Sequence, residues 1–208
     1  MIENLVLIIL SVLLAKLIEY DNTKLNKTDR KWVIATLICN TFITLLGFEL
    51  YRFGIIKIDF FPSLFSIVTD TLLLIIVMDF FMFCFHFLAH YLKWFSPIHR
   101  LHHTHVETSV YSLYVLHPIE TLGFGIIWLF SITILNFNYF SIIIYLILNL
   151  SYGIFGHLKT DIFPDFWHKN FATKWISTTK FHSDHHKHQS HNYGFYFTIW
   201  DKIFKTIF

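Results

Sequence analysis

The chain has 208 residues, of which 55% are hydrophobic and 20% aromatic, while only 14% are charged. This composition excludes an ordinary soluble domain with a polar surface and indicates a membrane protein. The formal net charge of +2, with no basic block interleaved with aromatic residues, argues against a nucleic-acid partner. The two cysteines, Cys39 and Cys84, lie in apolar runs and offer neither a disulfide framework nor a thiolate metal site.

Apolar segments long enough to cross about 30 Å of hydrocarbon follow one another along the chain. They run roughly from Ile2 to Glu19, Trp32 to Tyr51, Ser63 to Tyr91, Ile119 to Phe137 and Tyr139 to Gly156. The first has no basic leader or cleavage site, so we expect a retained segment, and whether it crosses fully stays open. The sequence therefore predicts an all-α, polytopic integral membrane protein with four to five transmembrane helices in a single domain, 1–208.

The distribution of basic residues predicts the orientation of these spans. The loop after the first span, YDNTKLNKTDRK, is richer in lysine and arginine than the loop before the third, which has only Arg52 and Lys57. By the positive-inside rule the first loop is cytoplasmic, which places the N-terminus outside and the lysine-containing tail, 159–208, inside. All fourteen histidines follow residue 85 and are then expected at the cytoplasmic face.

Three groups of histidines have spacings that place their rings on one face of a helix. In the pattern HxxHH, the first and last rings can bind one ion while the middle ring, turned by about 100°, reaches a neighbour. That arrangement suits two metals, although iron, zinc and copper all accept imidazole ligands. Ser96 and Pro97 predict the N-cap and first turn of the helix that carries the second group. The groups are His86 and His90; His99, His102 and His103; and His182, His185 and His186.

Other polar residues lie near these groups in the sequence. Asp79 falls on the same helical stripe as the first group, where it would orient a ligand imidazole or face lipid headgroups. His157 ends the fifth span, with Asp161 one turn further. His117 and Glu120, at the start of the fourth span, would support ligands or form a polar helix start. The histidines without regular spacing are expected at the surface or outside the ligand set: His105, His168, His188 and His191.

The motifs HFLAH, HRLHH, HPIETL, GHLKTDIFP, FHSDHH and NYGFYFTIWDKIFKT occur in this order from about Asp79 to the C-terminus. In this they resemble the fatty acid hydroxylase and sterol desaturase superfamily, and most closely its sterol desaturase and sterol methyl oxidase branch. The resemblance implies that 63–208 is the catalytic region, with a cytoplasmic helical cap that holds a histidine-rich dimetal site, and that 1–62 supplies anchoring spans. It also implies a set of metal ligands: His86, His90, His99, His102, His103, His157, His182, His185 and His186. Asp161 is an uncertain member, because relatives vary at that position.

The activity implied by the resemblance is that of a membrane-bound non-haem di-iron oxygenase. Such an enzyme uses dioxygen and two electrons to hydroxylate or desaturate a C–H bond of a lipid, fatty-acyl or sterol-like substrate. Two iron ions are the expected cofactor, with zinc as a replacement in preparations. Electrons are expected from a separate cytochrome or ferredoxin with its reductase.

Two alternatives and one substrate hypothesis remain at the level of sequence. A histidine-rich transmembrane metal transporter or binding protein would place its ligands near the bilayer midplane, often with inverted repeats, and neither feature is visible. An inactive homologue would have lost ligand positions, but all are filled. Phenylalanines near Asp79 would line a lipid channel or simply pack in the span: Phe80, Phe81, Phe83 and Phe85.

Overall fold

The structure, a computed structural model, describes residues 26–208 and five isolated positions before them, among which is Val12. The predicted first span, Ile2 to Glu19, lies outside the continuous described stretch. Between 26 and 208 the chain forms helices α1 (Lys27–Arg52), α2 (Leu64–Tyr91), α3 (Ser96–His99), α4 (Pro118–Leu135), α5 (Tyr139–Gly156), α6 (Thr179–Lys187) and α7 (Ile199–Phe204). In this stretch, α1, α2, α4 and α5 are long and apolar enough to cross a membrane. The predicted all-α polytopic membrane fold is confirmed, and within the described residues no β-strand forms beyond two isolated bridges.

Helix α2 is the centre of the bundle, because it packs against both α4 and α5, while α1 packs against α4. Buried apolar residues of α2, such as Leu74 and Met82, meet Leu129 of α4 and Tyr145 of α5 in one core cluster. The opposite faces of the spans leave large apolar side chains exposed, as expected of surfaces that contact lipid.

A three-residue turn joins α4 to α5, as the asparagines between the two apolar runs predict. Asn136 takes the left-handed conformation with φ 47°, which asparagine tolerates better than most residues. Asn138 caps α5 by accepting a hydrogen bond from the Ser141 backbone N–H at 2.9 Å, and its amide donates to Asp70 of α2 at 2.8 Å. The turn therefore fixes α4 and α5 as antiparallel neighbours, so that the first residues of α4 and the last of α5 lie at the same end.

Beyond that end of the bundle, 92–117 and 157–208 form a cap made of short helices and turns. Two buried carboxylates attach the C-terminal part of the cap. Asp79 of α2 accepts hydrogen bonds from the Tyr196 N–H at 2.6 Å and the Trp200 indole at 2.7 Å. Asp201 of α7 accepts from the backbone N–H groups of Tyr193 and Gly194 at 2.8 and 2.7 Å. This segment is thereby held against the end of α2 that carries the first histidine pair.

Candidate metal centre

Nine histidines converge where the cap meets the bundle, and their ring nitrogens form two groups. Within each group, one ligand atom per residue lies within 4.8 Å of every other. The first group has five members: His86, His90, His99, His103 and His185. The second group has four members: His102, His157, His182 and His186.

The division between the groups follows the HxxHH spacing. In each such motif the outer two histidines enter one group and the middle one enters the other. His182 and His186 belong to the second group and His185 to the first, because adjacent helical residues point about 100° apart. His157 joins the second group from the C-cap of α5, with its ring held by the Gly153 carbonyl one turn back.

The local structure of SPIHRLHH differs from the sequence prediction in one respect. Ser96 is the first residue of α3 and makes no capping hydrogen bond, while Phe95 occupies the N-cap. The helix ends at His99, and the chain continues through helical turns into a 3₁₀ segment, His102–Thr104. Because the right-handed turn is retained, His99 and His103 still share a face, with their Nε2 atoms 3.0 Å apart.

Five of the nine rings are oriented through Nδ1. Backbone carbonyls and a carboxylate accept only, so each of these Nδ1 atoms must be the donor, which leaves Nε2 as a free lone pair. The acceptor for His86 is the Tyr193 carbonyl at 2.9 Å, and for His185 it is the His191 carbonyl at 2.6 Å. His157, His186 and His99 donate to the Gly153 carbonyl, the His105 carbonyl and Glu120. The four backbone acceptors carry no sequence signal, so those contacts were not predicted, whereas Glu120 was expected as a possible support for a ligand.

The inward Nε2 atoms are spaced as metal ligands would be. Six pairs of Nε2 atoms, three in each group, lie 3.0 to 3.4 Å apart. Imidazole nitrogens at about 2.1 Å from one metal are separated by about 3.0 Å in octahedral and about 3.4 Å in tetrahedral geometry. The residues present therefore fit a metal ion in each group.

Burial keeps these imidazoles in the neutral form that metals bind. It lowers the pKa of His99 and of His157 to about 4. Burial, followed by repulsion from neighbouring imidazoles, lowers the pKa values of His102, His182 and His185 well below 6.5. Each ring is therefore ready to donate a lone pair at neutral pH without first losing a proton.

Glu120 and His117, both near the start of α4, have different surroundings. The Glu120 Oε1 lies 2.6 Å from the His99 Nδ1, with the two side chains 1% and 3% exposed. Of the two roles expected for Glu120, support of a ligand or a polar helix start, this contact favours the first. His117 caps α4 by accepting from the Ile119 N–H at 3.2 Å, and its ring lies against Trp32. His117 thus forms the polar helix start.

Asp79 makes no hydrogen bond to an imidazole and, being fully buried, does not face lipid headgroups either, so neither role expected from its place on the helix is seen. Asp79 and His86 share a face, but seven residues of helix separate them by about 10 Å along the axis. The carboxylate accepts hydrogen bonds from the cap instead, so its effect on the site passes through the segment that contains the Tyr193 carbonyl. Asp161 belongs to neither group; its carboxylate lies 3.1 Å from the His168 Nε2.

The remaining residues singled out in the sequence lie around the two groups. The His105 carbonyl supports His186, although its ring is not among the grouped ligands. His188 stacks on Phe208 near the C-terminus. The phenylalanines near Asp79 pack within the protein: Phe80 against Trp200, Phe81 against Phe130, Phe83 against Phe204, and Phe85 against Phe95 and Phe124.

A pocket adjoins the second group. It lies between the last turn of α5 and the segments 177–182 and 194–195. Two rings of the second group, His157 and His182, line it, together with aromatic residues and glycines. The phenylalanines of α2 are not among its lining residues.

Three curated proteins of similar sequence are each about one quarter identical to this chain. The chain is 26% identical over 147 residues to a cholesterol 25-hydroxylase-like protein of Danio rerio, covering 70% of this chain and 58% of the relative. It is 24% identical over 147 residues to the cholesterol 25-hydroxylase of Homo sapiens, covering 70% and 54%. It is 27% identical over 145 residues to the lathosterol oxidase of Homo sapiens, covering 69% and 46%. The chain thus spans about half the length of the curated relatives it matches.

No solved structure matches the chain. The model of one protein family, fatty acid hydroxylase, matches residues 71–206, about two thirds of the sequence. That range includes all nine histidines of the two groups. The chain therefore belongs to the fatty acid hydroxylase family.

Proposed function

We propose that this protein is a membrane-bound non-haem di-iron oxygenase that hydroxylates or desaturates a C–H bond of a lipid, with a sterol-like or fatty-acyl substrate. The observation that carries the proposal is the convergence of nine neutral imidazoles into two groups whose Nε2 atoms face one another at 3.0 to 3.4 Å. The curated relatives support a sterol-like lipid, because their names describe sterol hydroxylation and oxidation.

The nine histidines would hold the metals. Five members of the ligand set are His86, His90, His99, His103 and His185, and four are His102, His157, His182 and His186. Bound iron would supply the dioxygen activation and the electron transfer that no side chain here can provide. The protein orients the rings through Nδ1, keeps them neutral by burial, and excludes water from the site.

The site would lie on the cytoplasmic face, with the N-terminus outside and the electrons supplied by a separate cytochrome or ferredoxin with its reductase. The basic residues at the start of α1 and the lysines of the cap support this orientation. Substituted-cysteine labelling at Lys187 of α6 tests it: impermeant reagent should label this position only after the membrane is opened.

The alternative of a metal transporter or binding protein is weaker for a geometric reason. Its ligands would be expected in the middle of the spans. Here His86 and His90 occupy the last two turns of α2, and His157 follows the last residue of α5. A site at the ends of the spans suits chemistry on a lipid at the membrane surface better than transport through the bundle.

One experiment tests the function. Cells with and without this chain are grown with isotope-labelled dioxygen, and their lipids are compared by mass spectrometry. We expect a lipid that gains label, or a new double bond, only when the chain is present. The variants His102→Ala and His185→Ala, one from each group, should lose both metal and activity, whereas His168→Ala, outside both groups, should keep them. Retained lipid oxidation in the two ligand variants would contradict the proposal.

A further inference from the structure

We infer that Asp29, in the first turn of α1, positions the second histidine group by holding His105, whose carbonyl orients the candidate ligand His186. Asp29 is then a positioning residue and not a metal ligand. This inference rests on the metal site of the proposed function. It gives α1 a role in that site beyond the anchoring that is expected of 1–62.

Helix α1 lies outside the part of the chain that the family model matches, which begins at residue 71. Its first two turns nevertheless contact the cap. Val33 is buried in a cluster with Val115 of the cap, and Leu101 packs against this cluster. Trp32 lies against His117, the N-cap of α4, with the ring centroids 5.6 Å apart. The start of α1 is therefore packed on the segment that runs from the second histidine motif to α4.

This packing places an acidic side chain beside the histidine-bearing turn. The Oδ1 of Asp29 lies 3.5 Å from the Nε2 of His105, and the two side chains are 14% and 23% exposed. That Nε2 atom is buried and has no hydrogen-bond partner among the described residues. The distance is long for a hydrogen bond but short enough for attraction between a carboxylate and a ring N–H. The Asp29 carboxylate therefore offsets the burial of this nitrogen.

His105 connects this contact to the metal site through its backbone. It follows directly on the 3₁₀ segment His102–Thr104, and its carbonyl accepts the Nδ1–H of His186 at 2.9 Å. The Nε2 of His186 lies 3.1 Å from that of His182 in the second group. A shift of His105 would therefore turn the His186 ring and change the geometry of this group. The supports of the first group described above come from α4 and from 191–193, so the effect should be confined to the second.

Metal binding, measured without activity, tests the inference. The full chain in detergent is loaded with Co²⁺, which imidazoles bind and whose visible absorption reports the geometry of its ligands. A chelator then removes the metal, and His102→Ala, which lacks a ligand of the second group, identifies the release step and the absorption of that group. The first group should release its Co²⁺ as in the wild type in every Asp29 variant.

Asp29→Ala should change the absorption of the second Co²⁺ and release it at a chelator concentration lower by about three- to tenfold. This loss is smaller than the roughly 10- to 100-fold loss that follows removal of a direct support of a ligand, because Asp29 acts through His105. Asp29→Glu keeps a carboxylate beside His105 and should recover part of the affinity.

Two control variants separate positioning from a general loss of stability. Arg30→Ala changes the exposed neighbour of Asp29 and should leave the release of both metals unchanged. Gly125→Val crowds α1 against α4, because a Cβ atom there would overlap Ile43, about 20 Å further along α1. This variant should lower the melting temperature and leave the absorption of the second Co²⁺ unchanged.

The inference is overturned if Asp29→Ala has the absorption and both release steps of the wild type, or if Gly125→Val alters the second group as much as Asp29→Ala does. A wild-type chain that binds no metal would refute the proposed function together with the inference. Selective weakening of the second group in Asp29→Ala, in a chain that oxidises no lipid, would support the positioning role and refute the proposed function alone.

Discussion

Replacement of Glu120 by glutamine should weaken one metal position selectively. The carboxylate lies 2.6 Å from the Nδ1 of His99, and both side chains are almost fully buried. Glutamine preserves the shape of the side chain and keeps an oxygen that can accept the same hydrogen bond. What changes is the negative charge, which strengthens the bond and raises the basicity of the ligand imidazole.

The size of the effect follows from this difference. A hydrogen bond to a charged group contributes about 1.5 to 3 kcal/mol and a neutral one about 0.5 to 1.5 kcal/mol. The substitution should therefore cost about 1 to 2 kcal/mol, or roughly 5- to 30-fold in metal affinity. Because His99 belongs to the first group, the loss should appear at that metal and not at the second.

A chelator titration of the metal-loaded protein in detergent measures this directly. The wild-type protein and Glu120→Gln should release the metal of the second group at the same chelator concentration, whereas the variant releases the first metal earlier. The exposed Glu107 provides the matched control, since Glu107→Gln should change neither step. The thermal stability of the metal-free protein should stay close to that of the wild type, because glutamine fills the same buried space and keeps an oxygen that accepts the same hydrogen bond. Release of both metals as in the wild type would refute the role assigned to Glu120.

Three further substitutions or conditions test the fold and the site. Asp79→Ala leaves the Trp200 indole and two backbone N–H groups without their acceptor. The melting temperature in detergent should therefore fall by the equivalent of about 3 kcal/mol. An unchanged melting temperature would contradict the attachment of the C-terminal segment through Asp79. Gly125→Val should weaken the packing of α1 against α4 and lower the free energy of unfolding by about 1 to 3 kcal/mol, because even a Cβ atom would lie 2.4 Å from Ile43. Thermal denaturation measures this loss. A variant as stable as the wild type would contradict the close approach of the two helices. In the metal-free protein, burial lowers the pKa of His157 from 6.5 to about 4. The unfolded state therefore binds more protons than the folded state between these pH values, and the free energy of unfolding should fall as the pH drops from 6.5 to 4. Denaturant titrations measure it, and a constant free energy of unfolding would contradict burial of His157 in its neutral form.

Much of the fold is predictable because the relevant signals are local. The apolar runs give α2 and α5 within a residue or two, and Asn136 and Asn138 give the turn between α4 and α5. The division of the HxxHH motifs between two groups follows from the angle of about 100° between adjacent residues of a helix. That argument holds even where Ser96 fails to cap and the helix tightens into a 3₁₀ turn.

The supports of the ligands were harder to predict, because they depend on distance along a helix and on backbone atoms. Asp79 lies on the same helix face as His86, but this fixes only the direction of its side chain. The two residues are still about 10 Å apart along the helix axis. The acceptor for His86 is instead the carbonyl of Tyr193, which comes from 107 residues further along the chain. Asp79 and Asp201 hold that segment by four backbone N–H groups, so the two carboxylates position an imidazole that neither of them touches. The orientation of the His86 ring, one of the five in the first group, is therefore fixed by tertiary contacts between α2 and the C-terminal segment, which the spacing of the histidines does not predict.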